Sequence, residues 1–261
     1  MTNDVRDHSS PDDSDRSFEE LVSEAREAPP EGWDFTWLSG RVDGDDLSWH
    51  YPSLAREAID RSKSLLDVDT GGGEMLASLM PLPSAVATEP YEPNVPVATA
   101  RLGPLGVDVR LGDASALPVP DGGVDLVLNR HGALDAAVIS RVLTPGGVLL
   151  TQQVGSRNDM EFNDALGVAL PGELDARTLD TTVSALESSG LVVDLAEEEF
   201  PASRFLDVGA VVFQLLAVPW QVPGFDVETF DGPLREIDAH IRAYGGFTVR
   251  NHRFLIRAHR P

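Results

Sequence analysis

The chain has 261 residues, 42% of them hydrophobic, no cysteine and a formal charge of −23. One substantial core fits that length, and disulfides, thiolate metal sites and cysteine nucleophiles are excluded. The charge disfavours nucleic acids and anionic membranes as partners, and no apolar run approaches the roughly 20 residues of a membrane span, so a cytoplasmic protein is expected.

Residues 1–16 are rich in Asp and Ser and nearly free of apolar anchors. They read as a disordered acidic tail without the basic and apolar regions of a secretory signal. Residues 17–61 read as a helical or lid segment. Phe18, Leu21, Val22 and Ala25 give helical spacing up to Pro29-Pro30. An irregular stretch with Trp33, Trp37 and Trp49 follows, then a short helix over about 52–61. His50, between Trp49 and Tyr51, is a second catalytic candidate beside His131, with a buried structural histidine as its favoured reading.

From residue 62 strands and helices alternate. Strands are expected at 64–69, 85–89, 107–111, 124–129 and 148–153, with helices at 73–79, 95–105 and 134–143 between them. Short, nearly continuous apolar runs of this kind belong to parallel strands covered on both faces, so the alternation implies an α/β, doubly wound sheet. Beyond Gly155 the pattern predicts helices at 160–170, 176–189, 206–218 and 232–244. Strands are expected at 191–197 and, last, at 247–258. Residues 62–261 read as one domain with a helical cap over about 200–245. The cap aromatics Phe205, Phe213, Trp220 and Phe225 read equally as acceptor cover and as core.

The turn after the first of these strands carries the chemistry. Leu65-Leu66-Asp67-Val68-Asp69-Thr70 runs into Gly71, Gly72, Gly73 and Glu74, with a helical pattern behind. Glycine lets a main chain touch a nucleoside-containing ligand. A P-loop needs a lysine after the last glycine, where Glu74 stands, and Lys63 is the only lysine. The dinucleotide pattern needs a third glycine at Leu76, and Asp67, Asp69 and Glu74 would oppose a pyrophosphate. A ligand bearing positive charge suits these carboxylates.

Asp67, Gly71 and Gly73 resemble the first motif of the class I S-adenosylmethionine-dependent methyltransferases, of the small-molecule type 11 kind. The usual first glycine is Asp69 here, and aspartate tolerates the left-handed region better than most residues. The resemblance continues at Glu89, at Gly112-Asp113-Ala114, at Leu117-Pro118 through Asp125, and at Leu143-Thr144-Pro145-Gly146-Gly147. It implies a Rossmann-like seven-stranded sheet with an antiparallel last strand, and S-adenosylmethionine as cofactor. It also implies a cofactor site of Asp67, Asp69, Thr70, Gly71, Gly72, Gly73, Glu74, Glu89, Pro90, Asp113, Ala114 and Asn129. In that site Glu89 would take the ribose hydroxyls and Asp113 the adenine, though Asp113 also reads as a turn aspartate capping its own loop. The function implied is methyl transfer to a small molecule.

His131, after strand 124–129, is the candidate general base, with helix capping as its other reading. No histidine has metal-ligand spacing, and no metal is expected. An NAD(P)-dependent oxidoreductase and a non-catalytic S-adenosylmethionine-binding protein are the alternative functions.

Overall fold

The structure is a computed structural model that describes residues 16–28, 35–170 and 176–261. The expected acidic tail (apart from Arg16), the Pro29-Pro30 turn and Trp33 lie outside the described residues. In chain order the elements are α1 (Phe18–Glu27), β1 (Val42–Gly44), α2 (Tyr51–Ile59), β2 (Ser64–Val68), α3 (Glu74–Ser78), β3 (Ser84–Glu89), α4 (Val95–Leu102), β4 (Val107–Leu111), β5 (Val124–Arg130), α5 (Ala136–Val142), β6 (Leu143–Val154), α6 (Met160–Leu166), α7 (Leu179–Ser188), β7 (Val192–Glu199), β8 (Ala202–Phe205), α8 (Val208–Ala217), α9 (Asp231–Tyr244), β9 (Phe247–Arg250) and β10 (Arg253–His259).

Seven strands form one sheet in the order β4-β3-β2-β5-β6-β10-β7. The pairs from β4 to β6 are parallel, and β10 is antiparallel to both β6 and β7. This is the expected doubly wound, mostly parallel sheet with an antiparallel last strand. Both faces are covered. Leu66, Val127, Leu149 and Phe254 pack with Ile139 and Val142 of α5 and Leu186 of α7. On the other face Leu65, Leu128, Leu150 and Leu255 pack with Trp49, Tyr51, Leu76 and Leu102. Each leucine named is almost wholly buried, and burying such a side chain contributes about 1.5–3 kcal/mol.

β3 and β4 lie to one side of β2, and β5 and β6 to the other. The strand order therefore reverses between β2 and β5. Ligands of open α/β sheets bind in the crevice at the carboxyl ends of strands flanking such a reversal. Asp69 follows β2 there, and His131 follows β5.

The chain divides into two compact units: Gly44–Met160, Gly172–Ala202 and Val249–Pro261 make the sheet unit, and Met1–Asp43, Glu161–Pro171 and Ser203–Thr248 make the other. α2 therefore counts with the sheet. In the second unit α1 starts at a capping box of Ser17 and Glu20 and packs on α8. A Cβ on Gly209 of α8 would come 2.7 Å from the Leu21 carbonyl oxygen, so this close crossing requires glycine. Trp37 stacks on Phe213 at 4.8 Å and carries the Arg41 guanidinium 4.0 Å from its ring centroid, and Phe162 packs against both Phe205 and Phe247. Phe205 and Phe213 are core of this unit, while Trp220 is exposed.

Three details differ from the sequence expectation. The last strand is two strands: β9 joins a three-stranded sheet, β1-β8-β9, and β10 enters the large one. The break falls at Asn251 and His252, whose main chain bonds to loops: Asn251 N–H donates to the Pro201 carbonyl, and the His252 carbonyl accepts from Gly155 N–H. β1 and β8 were not expected; three or four residues are too few to show a period. His50 is exposed rather than buried, because it precedes the first turn of α2 and its Nδ1 meets the Ser53 hydroxyl.

Candidate cofactor and acceptor site

Among the described residues three non-glycine residues have positive φ: Asp69 (58°), His131 (62°) and Asp159 (53°). All three follow carboxyl ends of parallel strands, β2, β5 and β6. Such strained conformations persist where surrounding structure holds them, often at functional sites. Side-chain oxygens that are buried yet lack a hydrogen-bond partner gather at the same end: Asp69 Oδ1, Thr88 Oγ1 and Gln153 Oε1.

The glycine loop is held from several sides. Thr70 N–H donates to the Thr88 carbonyl, and Gly71 N–H to Glu89 Oε2 at 2.8 Å. The other oxygen of Glu89 accepts from Tyr91 N–H at 3.0 Å. Glu89 is 4% exposed, so this carboxylate both fixes the loop and keeps lone pairs for a further donor. Gly73 is left-handed at φ 83°, and a Cβ there would lie 2.7 Å from Leu102 Cγ of α4. A Cβ on Gly72 would meet the Glu74 carboxylate at 2.5 Å. Glu74 itself points away to an ion pair with Arg101, whose guanidinium also takes the Gly72 carbonyl.

Asp69 links two loops. Its Oδ2 accepts from Ala133 N–H at 2.7 Å, and Gly132 packs so closely that its Cβ would fall 2.6 Å from Asp69 Cβ. Burial raises the Asp69 pKa; repulsion from Glu89 and Asp113 adds to the rise, and the Ala133 bond opposes it. Asp67 is pushed up to about 7, mainly by desolvation, with Asp69 repulsion helping and the Thr70 hydroxyl opposing. Asp113 bonds locally: Oδ1 accepts from Ser115 N–H and Oγ, which lowers its pKa. Pro90 is exposed and Ala114 buried. Asp69, Glu89 and Asp113, near enough for Glu89 and Asp113 to repel Asp69, thus give the loop acidic neighbours, with Glu89 bonded to Gly71 N–H.

At the end of β5, Asn129 is wholly buried and spent. Its Nδ2 donates to the Val68 and Ala133 carbonyls, and its Oδ1 accepts from Thr151 and Gln153. His131 is tied differently. Trp49 Nε1 donates to Gln152 Oε1 at 2.8 Å. An indole N–H can only donate, so the atom it meets must be the amide oxygen. The Gln152 NH2 therefore faces His131 Nε2, at 2.9 Å, and that nitrogen accepts. The neutral ring then carries its proton on Nδ1. Desolvation, then the Arg130 and Arg253 charges, push the His131 pKa down; a solvent-exposed face of the ring moderates that push. His131 so held is a hydrogen-bond donor at Nδ1, and its Nε2 lone pair is engaged. Gln152 and Trp49 have a sequence signal only in part: three polar residues, Thr151-Gln152-Gln153, end an otherwise apolar strand.

Residues 66–151 match the family model described as a methyltransferase domain. That stretch of the chain carries a methyltransferase domain. The methyltransferase fold recurs in solved structures of low identity. The YcgJ protein of Bacillus subtilis is 16% identical over 81% of this chain and 98% of that one, with a TM-score of 0.57. A Bacillus halodurans protein assigned as a methyltransferase is 20% identical over 80% and 97%, with a TM-score of 0.58. The [4+2]-cyclase SpnF is 18% identical over 92% of each chain, with a TM-score of 0.53. These likenesses concern the fold alone. No curated protein matches the sequence. Domains of this class act on S-adenosylmethionine, as expected from the glycine loop. The chain's own residues fit that cofactor: an Asp69 oxygen buried without a donor, a loop of three glycines whose main chain is open to close approach, and the acidic neighbours Asp69, Glu89 and Asp113 suited to a cationic nucleoside. Among the described residues no helix is long and apolar enough to cross a membrane.

Proposed function

We propose that the domain transfers the methyl group of S-adenosylmethionine to a small molecule presented at the carboxyl ends of β5 and β6. The observation that carries this reading is the set of acidic residues at the glycine loop: Glu89 bonded to Gly71 N–H, Asp69 with one buried oxygen left without a donor, and Asp113 near enough to repel Asp69. Such a set repels a pyrophosphate and attracts an ammonium and a sulfonium. When bound, the cofactor supplies an electrophilic methyl group on positively charged sulfur. Asp67 and Asp69 are the residues for its ammonium. Glu89 serves the ribose hydroxyls, Asp113 and the Ala114 backbone the adenine, and Gly71, Gly72 and Gly73 the close main-chain contact. Thr70 adds its hydroxyl, Pro90 shapes the turn after Glu89, and Asn129 and Glu74 keep the surrounding loops in place.

On the acceptor side, His131 orients a substrate by donating from Nδ1 rather than by taking a proton. Methyl transfer to a good nucleophile needs chiefly in-line positioning and exclusion of water, so a dedicated base is not required. The acidic, cysteine-free composition fits a cytoplasmic enzyme.

Titration calorimetry tests the reading. S-adenosylmethionine should bind, and Asp69→Asn, which tolerates the same positive φ and can still accept from Ala133 N–H, should weaken that binding at least tenfold while the melting transition persists. Binding of a nicotinamide dinucleotide in place of S-adenosylmethionine would favour the oxidoreductase alternative and sink the proposal. Binding without turnover on any acceptor class would leave only the binding-protein alternative.

A further inference from the structure

The acceptor side of the sheet unit has a charge character opposite to that of the cofactor side. Leu128, Leu150 and Leu255 share one face with Trp49 and Tyr51. Side chains two residues along a strand return to the same face. Arg130 and Gln152 therefore lie on that face, one layer nearer the carboxyl rim, and Arg253 lies one layer further still. The register agrees: Arg130 pairs with Gln152, and Arg253 stands opposite Val154 on the next strand. His131 reaches the same place through its bond to Gln152.

Among the described residues the Arg130 guanidinium has no hydrogen bond or ion pair. Most arginines of the chain are engaged by a carboxylate or a carbonyl, including Arg101, Arg110 and Arg141. Arg253 bonds only to neutral oxygens, the Asn158 amide and the His252 carbonyl, with Asp159 as its nearby countercharge. Surrounding protein desolvates Arg130 enough to lower its pKa, and Arg130, Arg253 and His131 feel one another's charge. In a chain of charge −23, an unpaired guanidinium next to a second one and to a fixed N–H donor is a notable grouping. A cationic N–H donor left without a partner, beside a second fixed N–H donor, suits one anionic oxygen of a ligand, and a carboxylate then keeps its other oxygen free.

We propose that the methyl acceptor is a carboxylate, gripped at one oxygen by Arg130 with the His131 Nδ1–H, Arg253 lending its charge, and methylated at the other. This deepens the methyltransferase reading and rests on it. The choice of nucleophile follows from what the residues lack. His131 has its lone pair engaged by Gln152, and arginines take no proton at neutral pH. An alcohol or ammonium acceptor would have to lose a proton here; a carboxylate has none to lose. The step balances without one. A carboxylate oxygen lone pair forms the new O–CH3 bond, and the S–CH3 bond breaks with its electrons left on sulfur. The acceptor's negative charge and the sulfonium's positive charge cancel, leaving a methyl ester and a thioether.

The test uses benzoate, cinnamate and octanoate, each against its primary amide, with the full chain and methyl-labelled S-adenosylmethionine. Calorimetry should show at least one carboxylate binding and its amide not binding. Label should enter a product that releases methanol in alkali, as a methyl ester does. Arg130→Gln should weaken carboxylate binding at least tenfold, and Arg253→Gln several-fold, with cofactor affinity changed less than twofold. A wild-type protein that binds cofactor but none of the three carboxylates overturns the inference. So does label in an alkali-stable product, or an Arg130→Gln variant that binds carboxylate normally. Failure of S-adenosylmethionine itself to bind marks instead the failure of the underlying methyltransferase reading.

Discussion

Replacing Gln152 by Glu asks directly whether the Trp49–Gln152–His131 chain sets the state of the histidine. In the wild type an amide NH2 meets His131 Nε2 at 2.9 Å, and a protonated Nε2 would face that NH2 head-on. A carboxylate in the same place can accept from both Trp49 Nε1 and a protonated His131. Hydrogen bonds to charged groups contribute about 1.5–3 kcal/mol, and one pKa unit corresponds to about 1.36 kcal/mol. His131 should therefore titrate about one to two units higher in Gln152→Glu. The wild-type residue is 4% exposed, so the new carboxyl has its own desolvation cost, and the shift falls toward the lower end. The assay is an NMR titration with 15N-labelled imidazoles, the His131 signal being identified among six histidines by its loss in His131→Asn. The wild type should show the Nδ1–H tautomer at neutral pH. An Nε2–H tautomer, or a His131 titration indifferent to Gln152→Glu, refutes the donor assignment and with it the argument for a proton-free nucleophile.

Three further outcomes are expected. Glu89→Gln leaves one of the Gly71 and Tyr91 N–H groups facing an NH2, and calorimetry should show cofactor binding weakened by about 1.5 kcal/mol or more, roughly tenfold; equal affinity would remove Glu89 from the site. Gly132→Ala places a methyl 2.6 Å from Asp69 Cβ and 2.8 Å from Asn129 Nδ2, so overpacking of about 1–3 kcal/mol should lower Tm by several degrees. Gly103→Ala, whose Cβ meets nothing within 4 Å, is the control, and matching melts for the two variants would contradict the close packing. Asp67 is held near pH 7 in the folded chain, against about 3.9 when unfolded. The folded state therefore keeps a proton the unfolded state releases. That contribution to stability is complete below about pH 4, falls as pH rises toward 7, and is gone above it. Asp67→Asn removes this slope, so its Tm advantage over the wild type should grow from pH 5 to pH 8; a pH-independent difference would be inconsistent with a raised Asp67 pKa.

The large sheet was legible because its information is local. Apolar runs of five to seven residues, punctuated by glycine and proline, mark β2 to β5 to within a residue or two. The glycine loop was legible for the same reason, since turn, carboxylates and helix start sit within ten residues. What escaped is what long-range contact decides. Nothing near Phe247 marks the break at Asn251 and His252, which depends on Gly155 and Pro201 arriving from elsewhere. His131 looks like a base in isolation. Only Gln152, 21 positions on, and Trp49, 103 positions before that glutamine, show that its lone pair is taken. The carboxylate of Glu74, part of the acidic pattern in the sequence, turns out to belong to Arg101.

The place of β10 has a consequence for how this chain acquires its fold. The last strand in chain order is not at the margin of the sheet; it is wedged between β6 and β7. Among the described residues β7 pairs with no other strand, so on a ribosome it must wait, with β6 also bare on one side, until residues 253–259 have emerged. Two open strand edges at once invite mispairing with neighbouring chains. High net charge, −23 over the full chain, opposes association of such copies.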